Sequence, residues 1–265
     1  MNQKRNIAIN STILYVIAFM LTSVLHELAH ALAGIFYNTQ PVLHHNYVEQ
    51  LTTHHMSALQ LATVALAGPI MSLTQGLVAG WVYFQSPKQG LFRLFILWFS
   101  ILGMFNFLGY LMTGPVFHNG DIGKALALFN TPMWMQIFIA ILGAALLLLV
   151  AYHLTRPFLQ FSFKEEWVNS ASSRKNFSLY IMILPWLFGS AIMTLLYLPV
   201  VAIVSIIYPF TSGMVFIFPW QNARRIVNVP VSDNSNPGQV SYFTLICLIL
   251  LVLVFRLILQ PGIPI

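Results

Sequence analysis

His26-Glu27-Leu28-Ala29-His30 lies inside Ile7–Phe36, an apolar run longer than the roughly 20 residues a helix needs to cross a bilayer. On a helix, residues four apart share a face. His26 and His30 can therefore offer two imidazole nitrogens to one metal ion, with Glu27 beside them to take a proton from an activated water. Burying these three side chains in lipid without partners is costly, so an intramembrane cluster of this kind reads as a functional site. From Ile7 to His26 is 19 residues, about 28 Å at 1.5 Å per residue. That depth places the histidines toward the far side of the bilayer, where water can reach them.

The rest of the chain fits a membrane setting. Of its 265 residues 58% are hydrophobic and only 7% charged, whereas a soluble domain carries about a quarter charged residues. The expected fold class is all-α, a polytopic transmembrane helix bundle embedded in a lipid bilayer. The net charge of +6 comes from loops and suits anionic headgroups. The basic residues are scattered and form no patch interleaved with aromatics, which argues against nucleic acid. Cys247 is the only cysteine, so an internal disulfide is excluded and a thiolate metal site is disfavoured. Four of the six acidic residues, Glu49, Glu165, Glu166 and Asp233, fall in polar stretches. The other two are Glu27 and Asp121, the carboxylates to place at a metal.

Lys4 and Arg5 before an apolar run, with Ala29-His30-Ala31 after it, imitate a cleavable signal. The run is too long and carries His and Glu, which favours a retained span. Tyr37–His55 is polar, lacks Lys and Arg, and holds His44, His45, His54 and His55. A second span is expected from about Met56 to Phe84. Within it Gly68, Ser72, Gly76 and Gly80 form a small-residue stripe that lets another helix approach. A third, Leu91 to about Met112, carries Ser100, Gly103, Asn106 and Tyr110 on one side. Gly114-Pro115 and Asn119-Gly120 then break the chain before a short helix from Ile122 to about Phe129. Met133–Leu154 is a fourth span, and Thr155–Asn176 reads as a polar, basic loop. Phe177–Pro209, interrupted by Pro185 and Pro199, reads as one kinked helix or two short spans. Thr211–Gln239 reads as a loop with strand-like and turn-like pieces, and Val240–Leu259 as the last span. The total is six or seven helices. Residues 1–130 form a three-helix core, and residues 131–265 add helices and loops to the same membrane domain.

Two histidines leave a catalytic zinc one protein ligand short, with a fourth position kept for water. The candidates are Asp121, His118, a member of the His44/His45 or His54/His55 pairs, and the Glu165-Glu166 pair. Asp121 leads, because it follows a broken stretch of backbone at a membrane boundary, and such breaks persist where they line a cavity or are buried in protein. Its alternative role is to cap the helix starting at Ile122.

These residues resemble the site-2 protease family of intramembrane zinc metalloproteases. The resemblance covers about the first 130 residues. It rests on His26-Glu27-Leu28-Ala29-His30, on Ala67-Gly68-Pro69 in the next helix, and on Asn106 followed by Asn119-Gly120-Asp121. It implies that His26, His30 and Asp121 bind Zn2+, that Glu27 activates water, and that Asn106 helps hold the substrate backbone. It further implies peptide-bond hydrolysis in or near transmembrane segments of membrane-protein substrates. The family often has Asp-Gly, whereas Asp121 is followed by Ile122 and then Gly123. Asn106 also stands farther from Asp121 than in the compact motif. A helical substrate must unwind before cleavage, and Tyr37–His55 could offer a strand edge to the unwound piece.

Two other functions fit the same motif. One is a membrane zincin of the prenyl-protein protease type, with Glu165 as third ligand and Asn169 nearby. The other is a non-catalytic metal-binding or transport protein. Lys4, Arg5, Lys88, Arg93, Arg156, Lys164, Arg174 and Lys175 fall on the amino-terminal side of the spans, and only Lys124 on the first two opposite loops. The positive-inside rule then favours a cytoplasmic amino terminus, opposite to the usual orientation of this helix in the family.

Overall fold

A computed structural model describes residues 2–86, 89–200 and 204–265. Lys88, counted above among the basic loop residues, and residues 201–203 of the Phe177–Pro209 run lie outside the described residues. Helices dominate. In order the elements are α1 (Asn2–Phe36), β1 (Pro41–Leu43), β2 (Val48–Gln50), α2 (Ala58–Gln85), α3 (Leu91–Thr113) and α4 (Asp121–Leu128). There follow α5 (Met133–Leu159), α6 (Ala171–Leu196), α7 (Val204–Gly213), α8 (Ile217–Asn222), α9 (Tyr242–Leu259) and β3 (Ile263–Pro264). Among the described residues α1, α2, α3, α5, α6 and α9 are the six helices long and apolar enough to cross a membrane. This is an all-α helical bundle with the helices of a multi-pass membrane protein, carrying one small sheet of order β2-β1-β3.

The chain divides into two compact units, each drawn from early, middle and late segments. The first comprises Met1–Phe19, Ala79–Ser100 and Leu148–Leu250. Its centre is Trp98, fully buried, which meets Tyr15 edge-on at 5.1 Å between ring centroids and packs on Phe158 and Phe216. The Trp98 indole N–H donates to Ser11 Oγ, and Ser11 in turn donates to the Ile181 carbonyl at 2.7 Å. Pro185 explains that second bond. It has no N–H for the carbonyl four residues earlier, which is Ile181, and in lipid an unsatisfied carbonyl is costly. The helix opens into a π turn over Leu179–Ile183, and Ser11 supplies the missing donor. Pro185 thus lies within α6 without ending it. Among the described residues the Phe177–Pro209 run contributes to one candidate span, Ala171–Leu196, and the count is six.

Two loop expectations are corrected here. Thr155–Asn176 is partly helical: α5 runs on to Leu159, and α6 begins at Ala171, where Ser170 Oγ accepts the Ser173 N–H as its cap. Arg174, expected in a solvated loop, is buried with its guanidinium on the carbonyls of Val168, Ala223 and Arg224. Thr211–Gln239 holds no strand among the described residues. It begins as the end of α7, a 3-10 turn and α8, while the remainder is the expected loop, with a 3-10 turn at Asn236–Gly238. Pro219 sits in the first turn of α8, where a missing N–H leaves no helix bond unmade.

The second unit comprises Met20–Val78, Ile101–Leu147 and Leu251–Ile265. Here α2 and α3 meet backbone to backbone. A Cβ on Gly103 would lie 2.6 Å from the Ser72 carbonyl, and one on Gly76 would lie 2.7 Å from the Met104 nitrogen. Small residues permit this approach where apolar attraction between helices is weak. The polar Tyr37–His55 segment forms the β1–β2 hairpin, and β3 joins β1 on its other side.

Candidate metal centre

In the second unit His26 and His30 stand one turn apart on α1 and both are buried. Their Nε2 atoms are 3.2 Å apart, and the Asp121 carboxylate lies 2.9 Å from the first and 3.3 Å from the second. Among the described residues this is the one group of three or more His, Cys, Asp or Glu side chains that could hold a metal ion.

The supporting bonds fix which atoms face inward. His30 Nδ1 is 2.7 Å from the Val64 carbonyl, which can only accept, so Nδ1 carries a proton and Nε2 is the ring nitrogen turned to the centre. His26 Nδ1 hydrogen-bonds Ser72 Oγ at 3.0 Å and orients that ring similarly. Outer partners of this kind orient metal-ligating imidazoles and set their tautomers. The Tyr110 ring stacks nearly parallel on His26, 5.4 Å between centroids. Burial pushes the Asp121 carboxyl toward its neutral form, but the adjacent His30 and His26 outweigh this and hold it below the ordinary carboxylate range. It is therefore available as an anion.

Three converging ligand atoms fit a tetrahedral ion. Bonds of about 2.0–2.1 Å require ligand atoms roughly 3.3 Å apart, close to the triangle found here. The arrangement leaves the fourth position open. It is also reachable, because about a quarter of the Asp121 side chain is exposed, whereas the two histidines are nearly enclosed.

Asp121 does not cap its helix. The N-cap of α4 is Gly120, without a side-chain bond, and Asp121 is the first helical residue, its carboxylate turned to the histidines. Gly123 makes the placement possible: a Cβ there would strike the Phe117 carbonyl and stand 2.7 Å from that of Gly114. The Asp-Ile-Gly order thus lets α4 sit tightly on the turn that precedes it. Glu27 is half-buried and interacts electrostatically with His26, His30 and Asp121. Asn106 is buried on α3, one turn before Tyr110, and its Oδ1 has no hydrogen-bond partner among the described residues.

The other candidate ligands lie elsewhere. His118 is exposed in the turn before Asp121. His44 Nδ1 bonds the Gln260 carbonyl, and the His45 ring meets Phe255. His54 and His55 are exposed, the latter bonded to the Tyr37 carbonyl. Glu165 and Glu166 are exposed in a 3-10 turn of the first unit.

Gly68 and Ser72 belong to the small-residue stripe of α2, expected to let another helix approach, and Val64 lies one turn before them on the same face. Val64 and Ser72 instead bond the two imidazoles, and a Cβ on Gly68 would strike His30 Nε2 and lie 2.6 Å from His26 Nε2. Gly68 leaves the space into which the ligand atoms point. Tyr110 belonged to the expected polar face of α3, without a partner assigned. Comparison of the chain with family models, curated proteins and solved structures returned no match.

Proposed function

We propose that this chain is an intramembrane zinc metalloprotease of the site-2 kind, hydrolysing peptide bonds in or near transmembrane segments of membrane proteins. The observation that carries the reading is the buried His26–His30–Asp121 triangle, with a fourth position open, Glu27 within electrostatic reach, and all on or beside a helix that can cross a membrane. Two imidazoles and one carboxylate are a donor set suited to zinc. When bound, zinc supplies Lewis acidity to the attacking water and to the scissile carbonyl.

The chain's own residues perform the remaining tasks. Glu27 accepts the proton that the water loses and delivers it to the leaving amine. Asn106 offers its unpartnered Oδ1 to a peptide N–H and so holds the substrate backbone in register. Ser72 and the Val64 carbonyl keep both rings aimed at the centre. The hairpin offers an edge to which an unwound segment can add. The basic residues on the amino-terminal side support a cytoplasmic amino terminus.

The reading is tested by metal removal. Protein reconstituted with a single-span membrane substrate is expected to lose cleavage on treatment with phenanthroline and to regain it on addition of zinc. Cleavage that persists after the metal has been stripped, verified by elemental analysis, contradicts the proposal.

A further inference from the structure

The β1–β2 hairpin pairs Val42 with Glu49, and the His44 N–H donates to the Tyr47 carbonyl to close its turn. Hydrogen-bonded pairs alternate along an antiparallel ladder. Val42 and Glu49 are therefore a bonded pair, and the backbone N–H and C=O groups of Val48 and Gln50 point away from β1. The other side of β1 is taken by β3, where the Ile265 N–H donates to the Pro41 carbonyl at 3.0 Å. The outward position of β3 is Pro264, which has no N–H to offer. An added strand finds both donors and acceptors on β2.

The two faces of this sheet differ. Pro41 and Leu43 are buried, and the Gln50 side chain donates to the His30 carbonyl while accepting from Thr39 Oγ1. Gln50 thereby ties β2 to the helix turn that carries a metal ligand. Alternation puts Glu49 on the opposite, exposed face. Glu49 is the only Asp, Glu, Lys or Arg between residues 37 and 57, and it forms no ion pair among the described residues. A peptide running antiparallel to β2 would place one residue directly opposite it in a non-hydrogen-bonded pair. In such pairs the Cα atoms are about 4.5 Å apart and the side chains are closest.

We propose that Glu49 is a specificity-determining residue. It selects substrates that carry Lys or Arg, at the boundary of the membrane-spanning segment, at the position facing it when the unwound chain joins β2. This rests on the protease reading and adds to it the class of substrate.

The test uses full-length Glu27→Gln protein in uncharged detergent and two synthetic peptides. Each peptide is a Leu/Ala membrane helix with a Gly-Pro break, followed by an extended stretch carrying either Lys or Glu. The Lys peptide is expected to bind roughly two- to five-fold more tightly, the range of an exposed cross-strand charge pair. The preference should shrink in high salt, vanish in Glu49→Gln and invert in Glu49→Lys, with metal content unchanged. Equal binding of both peptides, unaltered by Glu49→Lys, overturns the selection and leaves the protease reading standing. Binding of neither peptide overturns the selection as well. Failure of protein with native Glu27 to cleave any such substrate overturns both.

Discussion

Glu27→Gln is expected to lower peptide-bond hydrolysis by roughly 10²–10⁴-fold, the usual contribution of a positioned general base, while leaving bound metal undiminished. Glutamine matches glutamate in size but cannot accept a proton from water. The triangle of ligand atoms is made by His26, His30 and Asp121 without Glu27. Its supports are likewise independent of Glu27, since Ser72 and the Val64 carbonyl hold the rings from α2. Removing the base should therefore separate chemistry from metal binding. The check pairs elemental analysis with initial rates on a reconstituted substrate. A variant that turns over within about three-fold of the wild type would show that Glu27 is not the base. A wild type that binds metal and cleaves nothing would instead match a metal-binding or transport protein.

Gly68→Ala is expected to abolish metal binding although it adds a single methyl group. The new carbon would strike His30 Nε2 and lie 2.6 Å from His26 Nε2, in the space an ion would occupy. Neither ring can swing aside freely, because each is tied through Nδ1 to α2, the helix that carries Gly68. Overpacking of this kind costs about 1–3 kcal/mol where the structure can shift. Here the methyl group takes the space of the ion, so the cheaper response is to lose the ion. Metal content should fall from about one per chain to near zero, with helical circular dichroism and elution volume unchanged. Full metal content in a folded Gly68→Ala protein would contradict the placement of the centre beneath Gly68.

Part of this was legible in the sequence because it depends on spacing along one element. His26 and His30 share a helix face whatever surrounds them, and the long apolar runs give the spans by length. Asp121 was accessible by elimination, since only two acidic residues lie outside polar stretches. What escaped depends on partners distant in sequence. The stripe on α2 shows that Gly68 and Ser72 face one neighbour, but spacing cannot tell a packing stripe from imidazole support. The Phe177–Pro209 run was ambiguous because Pro185 alone does not reveal that Ser11, 170 residues away, caps the carbonyl it orphans. Pairing of β3 with β1 was invisible for the same reason: two residues at Ile263–Pro264 carry no strand signal until Val42 and Leu43 lie beside them. The helical start of Thr211–Gln239 was missed because Pro in a first helical turn looks the same as Pro in a loop.

Whether three side chains from α1 and α4 hold one zinc ion, as proposed, can be read from the metal content of detergent-purified protein. Wild type and Glu165→Ala are expected to carry about one zinc per chain, and Asp121→Ala to carry little or none. Zinc retained in Asp121→Ala and lost in Glu165→Ala would contradict the account and move the third ligand to the other unit.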